Sequence, residues 1–275
     1  MVSKTVWASF LIVLIIVGVA AYFVGDYFGY QRAQVPTKSF WEQIKEKGKI
    51  VVGTSADYPP YEYINTTTQK IEGFDIDFVN AIAGELGITV EWKDMSFDAL
   101  WGALESGTID MIAAATFLTD ERADRYEYSV PYYVPTQALF VRSDSNITIE
   151  HLWDIGELGI TVGVQSATTE DDLLMEQVNA GNMSESQIHR YDKADVIVQD
   201  VVNGQIDAGF IDKPPVEVFA KTYPIKIIFE VPAEPCVLFM PKGAVEFRNE
   251  VNKAIVHLMK DGTIASLMEK WFAGI

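Results

Sequence analysis

Apolar residues recur along this chain in two alternating rhythms. Short, nearly continuous apolar runs, Lys49–Thr54, Ile88–Trp92 and Ile109–Ala113, read as buried strands. Between them Ile76, Val79, Ile82, Ala83 and Leu86 recur at helical spacing and stop at Gly87, with Asp75 placed to cap the start. Phe97, Leu100, Trp101 and Leu104 mark a second helix between Ser96 and Gly107, and Phe40–Gly48 a short one before the first strand. This alternation predicts a mostly parallel sheet covered on both faces. Further on, Gln137–Val141, Gly159–Val164, Asp207–Ile211, Ile225–Phe229 and Val237–Met240 are predicted strands. Ala194–Asn203, Pro214–Ala220, Phe247–Lys260 and Thr263–Phe272 are predicted helices.

One stretch breaks the local rules. Ala114–Arg122 reads AATFLTDER, so Thr119 is a good N-cap, and Asp120 and Glu121 suit the positive end of a helix dipole. Arg122 does not. A cation in a first turn opposes the dipole, and an anionic ligand above the helix start would supply a reason for it. The alternative is an exposed arginine paired with Glu121 or Asp124. Three further places carry candidate chemistry. The loop Ser55-Ala-Asp-Tyr-Pro-Pro-Tyr is stiffened by its prolines and presents Tyr58 and Tyr61 at the end of a strand, or packs them beneath itself. Gln165-Ser-Ala-Thr-Thr-Glu precedes an acidic helix start, where Thr168 or Thr169 would cap and free amides would attract an anion. Asp212 stands at a strand exit before Lys213-Pro-Pro, placed either to hold a ligand ammonium or to cap the next helix.

Composition narrows the classes. The formal charge is −18 in 275 residues, which argues against nucleic acid or an anionic membrane as a partner held by net attraction. There are three histidines and one cysteine, Cys236, so no internal disulfide and no His/Cys metal spacing is expected. No Walker-type GxxxxGK[ST] occurs, which excludes ATP hydrolysis by that motif. Val6–Val24 is uncharged and apolar, long enough to span a bilayer and longer than a usual signal-peptide core. It reads as a membrane anchor, or as a signal cleaved near Ala20 and Ala21, with the bulk of the chain outside the cytoplasm.

Four motifs stand in order: GTSADYPPYEY, GFDIDFVNAIAGELG, FDALWGALESGTIDMIAAA and LTDER. Together they resemble the polar amino-acid family of extracellular solute-binding proteins, the ligand-capturing subunits of ABC importers. The resemblance implies two α/β lobes joined by two hinge strands, a type 2 periplasmic-binding-protein-like fold, preceded by the N-terminal transmembrane or signal helix. Residues 1–25 would be the anchor or signal and 26–38 a linker. Residues 39–137 with 237–275 would form the first lobe and 138–236 the second, with Gln137–Val141 and Val237–Met240 as hinges. The implied partners are an amino acid, probed without any cofactor or metal, and a membrane permease driven by a separate ATPase subunit; the expected unit is a monomer.

By the same resemblance Arg122 clamps the ligand α-carboxylate, helped by Thr168 and Thr169 and the neighbouring Gln165. Asp212 binds the α-ammonium, with the carbonyl of Ala115. Tyr58 and Phe97 sandwich the side chain, and Ser55 and Phe117 complete the pocket. Two departures stand out. Phe117 replaces a hydroxyl residue that helps hold the carboxylate, and Ser55 replaces an acid that would select lysine or arginine. Negative charge would then come from Asp57, Glu62 or Glu170. Two rival readings remain: a dehydratase of the cyclohexadienyl or arogenate type on the same fold, with Glu170 or Glu62 as the acid, and a membrane-tethered amino-acid sensor.

Overall fold

The computed structural model describes residues 38–275. The predicted anchor, and the linker as far as Thr37, lie outside the described residues. Among those described, no helix is long and apolar enough to cross a membrane. In chain order the strands are β1 (Lys49–Thr54), β2 (Asp57–Tyr58), β3 (Glu62–Ile64), β4 (Ile71–Glu72), β5 (Thr89–Asp94), β6 (Met111–Ile112) and β7 (Glu127–Tyr128). They continue with β8 (Thr136–Arg142), β9 (Val162–Gln165), β10 (Ile188–Tyr191), β11 (Ala208–Asp212), β12 (Ile225–Pro232) and β13 (Phe239–Met240).

Two five-stranded sheets organise the molecule, one per lobe, in the orders β5-β1-β6-β13-β7 and β10-β9-β11-β8-β12. Each begins as expected, with parallel strands joined through helices. Each then departs from the predicted mostly parallel pattern. β13 runs antiparallel to β6 and β7, and β8 antiparallel to β11 and β12. The cause is the chain path. β8 and β13 are the first strands after the chain crosses between lobes, so each enters its sheet from the opposite end. The crossings lie beside each other, where Tyr133 bridges Cys236. The predicted hinge Gln137–Val141 is therefore not the crossing itself. It is the body of β8, paired along its length on both sides.

Apolar faces account for the packing. Around the first sheet, Trp41, Ile44, Phe74, Phe78, Phe247 and Ile255 share one core, and helices Val245–Lys260 and Thr263–Phe272 close over it. The second sheet is covered on both faces, by Ile155 and Leu174 packed against its Phe210 on one and by Ile197, Val198 and Val201 on the other. Ala194–Asn203 buries that stripe as its spacing predicts, and Gly204 ends it in the left-handed conformation.

Helix Phe74–Leu86 begins differently from the prediction. Its N-cap is Gly73, not Asp75. Gly73 has φ +144°, and a Cβ there would lie 2.1 Å from the Tyr61 carbonyl oxygen, so only glycine serves. Asp75 instead turns inward, fully buried. Its carboxyl accepts the Ala115 amide and the Tyr132 hydroxyl, both at 2.9 Å. Burial raises its pKa to about 7, against those two donors.

Candidate functional site

The C-terminal ends of β1, β6, β9 and β11 converge on one narrow cavity between the lobes. Ten residues expected at the site line it: Ser55, Tyr58, Phe97, Ala115, Phe117 and Arg122 from the first lobe, Gln165, Thr168, Thr169 and Asp212 from the second. Tyr61 does not: it packs beneath the loop, fully buried in the first-lobe core against Phe272. Asp57 lies outside the lining as well. Ala114, Glu62 and Glu170 also line the cavity.

Arg122 is held without a carboxylate. Thr119 caps its short helix, accepting the Arg122 amide at 3.2 Å, as predicted. The guanidinium is 9% exposed for the residue as a whole and donates to two carbonyls, Phe117 at 2.9 Å and Ala167 of the other lobe at 3.0 Å. It lies 4.6 Å above the Trp101 ring and 6.0 Å from Phe97. Among the described residues no acid comes within ion-pair distance of it. Glu121, the alternative partner, pairs with Arg125. Burial lowers the Arg122 pKa, but a guanidinium stays charged at any working pH. Both loops that meet it contain a non-glycine residue at positive φ, Ala115 at +47° and Ala167 at +63°. Such strain is held in place by surrounding contacts, here the Asp75 carboxyl on the Ala115 amide.

The second lobe contributes the opposite charge. Asp212 occupies an N-cap position yet makes no side-chain cap, so the capping alternative does not account for its carboxyl. Its amide donates to the Tyr58 hydroxyl at 2.8 Å, across the cleft. The Asp212 and Glu170 carboxyls lie against each other, and Asp212 Oδ1 and Glu170 Oε1 are buried with no hydrogen-bond partner in the protein. Burial raises both pKa values, and for Asp212 the adjacent Glu170 charge raises it further. Adjacent buried carboxyls of this kind favour sharing one proton over both being ionised. Thr168 caps helix Thr169–Asn179, accepting the Asp171 amide at 3.4 Å, while the Thr169 hydroxyl takes a bond from Gln137 at 2.7 Å.

Asp57 joins the lobes directly. Ser55 donates to it at 2.6 Å from its own lobe. From the other, Gln165 donates at 3.3 Å, and the Ala194 amide, the first of helix Ala194–Asn203, donates at closer range. A carboxylate at a helix N-terminus is a favourable pairing. Burial nonetheless raises the Asp57 pKa to about 6, opposed by the Ser55 and Ala194 bonds. Trp101 and the Ala167 carbonyl were not foreseen as parts of the site. Trp101 follows Phe97 by one helical turn, so the spacing that marked the helix also places both rings on one face.

Two α/β lobes linked by adjacent crossings, with a buried polar cavity between them, define a cleft-closing binding protein of the type 2 periplasmic architecture. The chain belongs to the bacterial extracellular solute-binding proteins, family 3, whose family pattern matches residues 50–274. It is 27% identical to the L-cystine-binding protein TcyA of Bacillus subtilis (strain 168), over 84% of this chain and 84% of that protein. Its fold is similar to an ancestral arginine-binding protein solved with arginine bound, at a TM-score of 0.76 and 33% identity, over 82% of this chain and 99% of that one. It is also similar to the ancestral amino acid-binding protein AncCDT-1, a precursor of cyclohexadienyl dehydratase, at a TM-score of 0.75 and 31% identity, over 86% and 100%.

Proposed function

We propose that this chain captures an amino acid outside the cytoplasm as the substrate-binding component of an ABC importer. One observation carries the reading. A buried guanidinium with no acid at ion-pair distance, and two buried carboxyls each with one oxygen lacking a hydrogen-bond partner, line the same cavity from opposite lobes. An α-amino acid supplies both missing charges. Its carboxylate pairs bidentately with Arg122, with the Thr168 and Thr169 hydroxyls beside it. Its ammonium enters between Asp212, Glu170 and the Ala115 carbonyl. Tyr58, Phe97 and Phe117 enclose the side chain. Only the closed cleft brings both poles together, so the ligand shifts the population toward closure by its extra affinity for that state. The closed form then docks on a permease with a separate ATPase subunit, and residues 6–24 tether the monomer or direct its export.

A thermal-shift screen against the common amino acids tests this. A ligand at a hundred times its Kd adds about 2.7 kcal/mol to stability, a rise of several degrees. No rise with any amino acid would contradict the reading.

Glu170 favours one competitor. A carboxyl held protonated beside a substrate cavity can act as an acid, as a dehydratase requires. Its proton is shared with Asp212, however, an arrangement that equally serves to receive an ammonium. Incubation with arogenate or prephenate followed by chromatography decides between them; we expect both to be recovered unchanged.

A further inference from the structure

Arg122 is a partition between two spaces. Among the described residues it is the one that lines both the ligand cavity and a second, outer cleft between the lobes. Trp101, Arg125 and Tyr126 of the first lobe line that outer cleft, with Ala167 and Asp172 of the second. Its rim is wet, since the Arg125 and Glu121 side chains there are exposed. The Asp172 and Glu121 charges act on the guanidinium from the same side. A carboxylate bound in the ligand cavity therefore has competitors across the guanidinium it uses: water and two acids.

Trp101 stands at that boundary. Its ring lies 4.6 Å from the Arg122 guanidinium carbon. The ring is braced by Tyr126 and Phe239, both buried, each with its centroid 5.3 Å away. A ring face attracts a guanidinium and excludes water. It offers no carboxylate or carbonyl to compete for the N–H donors. The Phe117 and Ala167 carbonyls take two of the five, which leaves enough for a bidentate carboxylate.

We propose that Trp101 is a positioning residue for the ligand carboxylate: it fixes the Arg122 guanidinium and seals the ligand cavity from the outer cleft, so that the charge pair forms out of water. This rests on the capture reading and adds a determinant of affinity that lies outside the cavity it serves. A charge pair kept from water is stronger, and less screened by salt, than a wetted one. Salt dependence therefore separates this role from simple packing.

Calorimetry on the full-length chain in mild detergent tests it. The common L-amino acids and L-cystine are titrated first, and the tightest binder among them serves as probe. We expect Trp101→Leu to bind it at least about tenfold more weakly than wild type, and Trp101→Phe within about threefold. Raising sodium chloride from about 50 to 500 mM should weaken Trp101→Leu at least about threefold more than it weakens wild type. If Trp101→Leu does not fold, Trp101→Met, which has similar reach and no ring, takes its place. An affinity within about threefold of wild type in the folded ringless variant would overturn the proposal and leave amino-acid capture standing. A weaker ringless variant with the wild-type salt dependence would also overturn it, as loss of packing alone. So would a Trp101→Phe as weak as the ringless variant. If none of these amino acids binds, the capture reading fails, and this inference with it.

Discussion

Arg122 sits in the first turn of a short helix, against the dipole, under two rings and between two carbonyls. No acid in that setting pairs with its charge, and the proposed function gives that charge a ligand carboxylate as partner. Arg122→Ala should weaken amino-acid binding by at least about 100-fold, in the range of 2–5 kcal/mol expected when one partner of a buried charged contact is removed. Arg122→Lys keeps the charge but loses the planar fork and the stacking, and should fall between the two. Calorimetry with the best ligand measures both, and near-native affinity in Arg122→Ala contradicts the assignment. The Asp212–Glu170 pair carries a second prediction. Its proton must leave when an ammonium enters, so affinity should fall as the pH drops into the raised range of the pair. Titrations in buffers of different ionisation enthalpy should reveal proton release on binding. Equal apparent enthalpies across buffers would count against it.

At the level of elements, the legible parts were those whose signal is local. Lys49–Thr54, Ala194–Asn203 and Thr263–Phe272 begin and end where their periodicity and stop signals place them. Arg122 was legible because it violates a local rule. Asp75 was not, because what claims it is an amide forty positions away in sequence, on the loop at Ala115. Glu62 could be named as a source of charge but not placed, since its position depends on the β2–β3 register. Two substitutions test elements directly. Gly73→Ala forces a Cβ into the Tyr61 carbonyl at a φ that L-residues avoid; we expect a loss of roughly 2–4 kcal/mol in urea unfolding, and a change under 0.5 kcal/mol would refute the steric account. Asp57→Ala removes the carboxylate that the Ala194 amide and Gln165 of the other lobe both use. Small-angle scattering of the ligand-free variant should give a larger radius of gyration than wild type. An unchanged radius would show that this contact does not hold the lobes together.

For the whole molecule, buried acids shape the response to pH. Asp57, at about 6, and Asp75, at about 7, keep protons that the unfolded chain releases near pH 4. Between about pH 4 and 7 unfolding therefore releases protons, and these two groups make stability fall as pH rises through that window. Thermal melts of Asp75→Asn should show a flatter dependence than wild type; identical slopes would exclude Asp75 as a cause.

The proposed function has the two lobes grip one small molecule by both charged ends, and truncating the ligand tests it most directly. The amino acid that binds best should be compared by calorimetry with its decarboxylated amine and its Nα-acetyl derivative. Losing either end should cost at least about 100-fold, because each leaves a buried charge of the protein unmatched. Retention of affinity within tenfold by either truncated compound would contradict the account.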